Sequence, residues 1–231
     1  MQAHATIRAT LRQALDLAEH PRRSEGWNFD DPVLLNGQGR SSMVISRMIC
    51  GFAGREETVG ASLSAEGARF LDVGSGAGWI SIAMARAFAG LKVDGIDIHA
   101  PALAVARQNL AETGLNERIS FHERDVLDAA DMGPFNSIWL PLMFLPDAVA
   151  RQAITILADR LTPGGYLFVG NFRLSEDALP SALARLQATR AGGRVWEATE
   201  LRALGEAEGL VQVGDAGAGT GVMVLAMRRQ G

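Results

Sequence analysis

A three-layer, doubly wound α/β fold around a seven-stranded, mostly parallel sheet is predicted by three features of the sequence. Short apolar segments alternate with helical patterns from about residue 66 onward. The earliest of them, Phe70 to Val73, runs into the glycine series Gly74, Gly76 and Gly78 and then into a helical pattern. Near the C-terminus two strand candidates stand too close in sequence for a crossover helix, so they must pair as an antiparallel hairpin and reverse the last strand. The expected organisation is an N-terminal helical extension over residues 1–65 followed by one α/β domain over 66–231.

In chain order, Ala5 to Glu19 places Ile7, Leu11, Leu15 and Ala18 on one helical face and ends near Pro21. Residues Arg22 to Gly39 read as irregular. A second helix begins at Ser42, with Ser41 or Ser42 as its cap. The glycine-bearing stretch Gly51 to Gly67 then leads to the first strand. Leu91–Ile98 is the second strand, and Pro101 opens a helix through Leu110, at a position where its missing N–H costs nothing. Ile119–His122 and Phe135–Leu140 are the third and fourth strands. A helix over Asp147–Leu161 is stopped by Pro163-Gly164-Gly165, and Tyr166–Gly170 is the fifth strand. Further helices lie within Asn171–Gly192 and over Glu197–Glu208, before the closing strands Leu210–Val213 and Gly221–Met227.

Composition narrows the function classes. With 48% hydrophobic and 21% charged residues, the chain has the material for a sizeable core and is not a disordered profile. A net charge of -4 argues against a long nucleic-acid footprint. The single cysteine, Cys50, forms no intrachain disulfide, and four scattered histidines make no metal-ligand pattern, so no metal is expected. The apolar run Ile138–Phe144 is short and holds Pro141, so it cannot span a bilayer. These traits suit a cytoplasmic protein with no membrane partner, and they leave room for a homodimer.

A strand–glycine turn–helix unit presents orphan backbone N–H groups to a ligand, although an ordinary tight turn has the same look. A dinucleotide fingerprint needs its third glycine where Trp79 stands, and no Gly-Lys-Ser or Gly-Lys-Thr closes the loop as a triphosphate site requires. What is present is Asp-x-Gly-x-Gly-x-Gly, from Asp72 through Gly78. A carboxylate beside the turn repels a pyrophosphate but can hold an ammonium or order the loop, which favours a ligand carrying positive charge there.

On Asp72, Gly74, Gly76 and Gly78 the sequence resembles the class I S-adenosylmethionine-dependent methyltransferases, and the resemblance extends over roughly residues 66 to 227. It implies that Asp72, Gly74, Ser75, Gly76, Gly78 and Trp79 receive the methionine and ribose portions of S-adenosyl-L-methionine. It implies that Asp97, 23 positions after Gly74, bonds the ribose hydroxyls, with Ile98 and His99 near the adenine. Asp125 and Val126 correspond to the residues that meet the adenine amino group and cover the ring; a helix cap is the alternative role for Asp125. Trp139 lies in the fourth-strand segment that borders cofactor and acceptor, where a core role is the alternative. That strand carries Asn136 and Ser137 where the family often has an acid.

The implied reaction is methyl transfer by direct displacement to an oxygen, nitrogen or carbon nucleophile of a small organic acceptor. Such a reaction needs alignment and exclusion of water more than a residue nucleophile. Candidate bases for a hydroxyl acceptor are His99 and His122. Candidate acceptor contacts are Leu140, Met143 and Phe144 after the fourth strand, with Trp27, Phe29, Arg40, Met43 and Arg47 from an N-terminal lid. A structural brace is the alternative role for that segment. The other functional readings are a nicotinamide-dependent oxidoreductase of Rossmann type and a noncatalytic nucleoside-binding or scaffold protein.

Overall fold

The computed structural model describes Leu15, Ala18–His20, Gly26 and residues 30–231. Most of the helix expected over Ala5–Glu19 lies outside them, as do Trp27 and Phe29.

The chain builds its sheet from the inside outward. β1 (Arg69–Val73) is flanked by β2 (Lys92–Asp97) and β4 (Phe135–Leu140), all parallel, with β3 (Ile119–Glu123) beyond β2 and β5 (Leu161–Phe172) beyond β4. β7 (Val222–Arg229) runs antiparallel to β5 on one side and to β6 (Leu210–Ala216) on the other, giving the seven-stranded order β3-β2-β1-β4-β5-β7-β6. The expected hairpin is therefore present, and its second strand is the one inserted next to β5.

Strand alternation sorts the core into two layers. Phe70, Trp139, Tyr166 and Phe168 face α1 (Pro32–Ala53), α2 (Glu57–Ser64), α3 (Trp79–Ala87) and α4 (Ala100–Ala111). Leu71, Val73, Ile138 and Leu140 face α5 (Asp147–Asp159) and α7 (Ala198–Ala207). α6 (Ala178–Arg190) buries Ala184 and Ala188 against Met143 and Phe172 at the sheet's C-terminal end. Helices thus cover both faces, and the two sides are wound away from β1, which leaves a crevice where the chain turns from β1 toward β2 and β4.

α1 differs most from expectation. It spans 22 residues and starts at Pro32, ten positions before Ser42. The Asp31 carboxylate accepts the Val33 N–H at 2.9 Å, and Pro32 occupies the first turn, so the start signal was an Asp-Pro pair. Ser41 and Ser42 do not cap; their hydroxyls donate to the Gly37 and Gln38 carbonyls within the helix. The helix persists across Gly37 and Gly39 because Ile45, Ile49 and Phe52, at helical spacing, anchor it in the core. α2 was also unmarked in the sequence; Val59 and Leu63 bury its inner face. β5 begins five residues earlier than expected, because Pro163-Gly164-Gly165 bulges the strand instead of ending it. Among the described residues, no helix is long and apolar enough to cross a membrane.

Two glycines test this packing. A Cβ at Gly170 in β5 would lie 2.3 Å from the Trp139 ring, which is itself buried, whereas one at Gly37 would meet nothing within 4 Å. Gly170→Ala should cost about 1–3 kcal/mol of stability by overpacking. Gly37→Ala should add about 0.5–1 kcal/mol through helix propensity. Urea denaturation of both variants beside wild type checks the pair.

Candidate active site

The turn after β1 is shaped by three residues no side chain would allow. Gly74, Gly76 and Gly78 all have positive φ (65°, 53° and 79°), so the chain turns back sharply at the end of β1. Gly78 also lets Phe121 and Ala106 close beneath the loop, where a Cβ would lie 2.6 Å from the Phe121 ring. The Ser75 N–H donates to the Ile96 carbonyl at 3.0 Å, tying the loop to the end of β2.

Asp97 completes the tie. One carboxylate oxygen accepts the Gly76 N–H at 2.8 Å, and the other accepts the His99 N–H at 2.9 Å. Burial pushes its pKa above the ordinary carboxylate value, and the two amides oppose that shift. The acid at the end of the second strand thus stands directly against the glycine loop.

A cleft of about 590 Å³ opens above this junction, within the range of small-molecule sites. Gly74, Ser75, Gly76, Trp79, Asp97, Ile98, Asp125 and Val126 all line it. Ile98 presents a 71% exposed side chain to the opening, where a planar ring can rest. Asp125 has a double role, since one oxygen caps the Leu127 N–H at 2.9 Å and the carboxylate still borders the cleft. Phe144, Leu145, Pro146 and Val149 form an apolar end, with Phe144 set edge-on to Phe172. Ser75 Oγ is buried and has no protein partner among the described residues.

Several sequence candidates stand elsewhere. Asp72 is outside the cleft lining; it is fully buried beneath the loop, where Ser81 donates to it at 2.5 Å. Period-two alternation puts Asp72 on the same face as Phe70, toward α3. Trp139 belongs to the core, packed over Gly170. Leu140 and Met143 are likewise buried in the core and outside the cleft lining. His99 is turned toward Asp30, 3.4 Å away, and His122 pairs with Asp94 at 3.2 Å, so neither candidate base lines the cleft. Arg40 lies 4.8 Å over the Trp79 ring, while Arg47 and Met43 are outside the lining.

The sequence reading missed Leu35, Gln38, Gly39 and Ser42, which bring α1 to the cleft as a wall. It also missed Ala191 and Gly192 on the opposite side. The second wall is held by Asn171, whose side chain bonds both the N–H and the carbonyl of Trp196, at 3.1 and 2.8 Å. The Arg194 guanidinium stacks 3.6 Å from the Trp196 ring and pairs with Asp147 and Glu200. A helix start hidden by glycines and a strap fixed by a distant asparagine leave no local pattern to read.

Residues 70–165 match a family model described as a methyltransferase domain. That segment is similar to a methyltransferase domain, and the strand order gives it a Rossmann-like fold. The matched segment carries the glycine loop, Asp97 and Asp125, while α1 lies outside it. Over 89 residues the chain is 42% identical to the release factor glutamine methyltransferase of Chlorobaculum tepidum, which spans 37% of this chain and 30% of that protein. Over 131 residues it is 34% identical to the ubiquinone biosynthesis O-methyltransferase of Xanthomonas axonopodis pv. citri, covering 56% of this chain and 53% of the relative. The matches thus span at most about half the length of these curated relatives. The O-methyltransferase NcsB1 from neocarzinostatin biosynthesis, solved with S-adenosylmethionine and 2-hydroxy-5-methyl naphthoic acid, shares the fold at a TM-score of 0.67 and 22% identity, over 96% of this chain and 69% of that one.

The buried acid near the end of β1 has a measurable signature. Burial pushes the Asp72 carboxyl up to about 7, against the bond from Ser81. Its folded value exceeds the unfolded one, so the stability tied to it is complete below about pH 4 and is lost as pH climbs to about 7. Asp72→Asn stays neutral throughout and keeps an acceptor for Ser81. The variant should therefore gain stability relative to wild type between about pH 5 and about pH 8, as read by urea denaturation at both values.

Proposed function

We propose that this chain transfers a methyl group from S-adenosyl-L-methionine to an oxygen, nitrogen or carbon nucleophile of a small organic acceptor. The observation that carries this reading is the bond from the Gly76 N–H to Asp97, which sets a ribose-type acceptor group beside a glycine-rich loop at the mouth of an apolar cleft. The cofactor, when bound, supplies an electrophilic methyl group on a positively charged sulfur.

The residues fit such a guest. Asp97 has its oxygens fixed by two amides and can still accept from a vicinal diol, as carboxylates carry several lone-pair sites. Ile98 and Val126 offer apolar cover for a flat base, and Asp125 offers an acceptor for its amino group. Gly74 and Gly76 let a methionine-like tail approach the backbone without meeting a Cβ, and Ser75 Oγ can satisfy its missing bond there. Toward the other end, Pro141, Phe144, Leu145 and Val149 exclude water from the acceptor. The nucleophile loses a proton and gains the methyl group, and the sulfur leaves as a neutral thioether.

The division into a 1–65 extension and a 66–231 domain is retained in this reading, with α1 as the extension's contribution to the cleft. A small acceptor is favoured because the apolar end is enclosed by short segments, and because the ubiquinone-pathway relative and NcsB1 are both O-methyltransferases. The oxidoreductase reading is weakened by Trp79, which fills the third-glycine position and borders the cleft.

Titration calorimetry with S-adenosylhomocysteine tests the cofactor half of this reading, and labelled-methyl transfer into a metabolite extract tests the acceptor half. Asp97→Ala should weaken S-adenosylhomocysteine roughly 10–100-fold, the range for losing hydrogen bonds to a charged group. Unchanged affinity in a folded Asp97→Ala protein would remove Asp97 from the site.

A further inference from the structure

Asn36 of α1 reaches the turn after β1 by hydrogen bonds. Asn36 Oδ1 accepts the Trp79 indole N–H at 2.7 Å and the Asn109 amide at 3.1 Å, and the same Asn109 amide donates to the Ala77 carbonyl at 2.9 Å. An indole N–H only donates and a backbone carbonyl only accepts, so both asparagine amides are oriented unambiguously. Ala77 stands between Gly76, whose N–H meets Asp97, and Gly78, which opens α3. The Asn36 oxygen is therefore joined through Asn109 to the backbone that shapes the cradle.

A steric contact reinforces this junction one turn further along the helix. Gly39 brings α1 backbone against the loop, where a Cβ would lie 2.8 Å from the Trp79 ring and 3.0 Å from the Ala77 side chain. Leu35, Gln38, Gly39 and Ser42, interleaved with these attachments, are the residues α1 gives to the cleft. The wall and the loop are thus held in register by an acceptor that belongs to neither the glycine motif nor the matched domain.

We propose that Asn36 is a positioning residue for the cofactor cradle: its carbonyl oxygen fixes α1 against the Trp79–Ala77 turn, so that the cleft is assembled before the ligand arrives. The inference rests on the cofactor reading above. Without this acceptor, the wall must be ordered at the moment of binding, and that cost falls on affinity. Asn36 acts through Trp79 and Asn109 and makes no contact with reacting atoms.

The test compares wild type, Asn36→Leu and Asn36→Asp by calorimetry with S-adenosylhomocysteine, well below each melting temperature. Loss of two hydrogen bonds predicts roughly tenfold weaker binding for Asn36→Leu. The carboxylate of Asn36→Asp keeps the acceptor, so binding should return to within about threefold of wild type. If Asn36→Leu lowers only the melting temperature and binds as wild type does, Asn36 is a brace and the inference is overturned. Equal weakness of Asn36→Asp and Asn36→Leu overturns it as well. Should Asn36→Leu not fold, Asn109→Leu takes its place, with a several-fold loss expected and unchanged affinity counting against the inference. No binding by wild type overturns the cofactor reading and this inference together, whereas binding by wild type with no change in the variants overturns this inference alone.

Discussion

A carboxylate set between two strand ends holds the site together. Asp97 sits where β2 stops, and it accepts one amide from the loop after β1 and another from the start of α4. Burying that charge is unfavourable, and the two N–H donors are what keep the acid in place. The loop can occupy this position only because its glycines adopt left-handed conformations. The cleft beside this point is lined by Ile98 and Val126, by apolar residues after β4, and by α1.

Two walls close over that centre by different means. α1 is anchored by core residues at one end and by Asn36 and Gly39 at the loop. The opposite wall, around Gly192, depends on Asn171 at the end of β5, whose amide satisfies both backbone groups of Trp196. The Arg194–Asp147–Glu200 cluster beside it is largely open to water, so its charges add little energy, and orientation comes from the asparagine and from stacking on Trp196. In both walls a single uncharged amide, reaching far in sequence, fixes what a local motif does not.

That contrast explains what was legible in the chain. The strands read clearly because the sheet imposes period-two burial, and the glycine loop because positive φ leaves almost no other residue. The antiparallel pairing of the last two strands followed from connection length. The burial of Asp72 was legible in the spacing, since Phe70 and Asp72 share a face by alternation, although its place in the glycine motif suggests the cleft. The first ten residues of α1 were hidden because Gly37 and Gly39 depress helix propensity, while tertiary anchoring by Ile45, Ile49 and Phe52 overrides it. Pro163-Gly164-Gly165 reads as a stop in isolation but is accommodated as a bulge once β4 and β7 flank the strand. Asn36, Asn109 and Asn171 had no signal at all, since their roles exist only across separations of 25 to 73 residues.

The central claim is that the Asp97–Gly76 junction receives the ribose of an S-adenosyl nucleoside under the α1 wall. A crystal structure of the protein with S-adenosylhomocysteine tests it most directly. The account predicts the ribose hydroxyls within hydrogen-bonding distance of Asp97, the base against Ile98 and Val126, and the sulfur facing the apolar end at Phe144. A nucleoside seated away from Asp97, or a cleft that stays empty at saturating ligand, would contradict it.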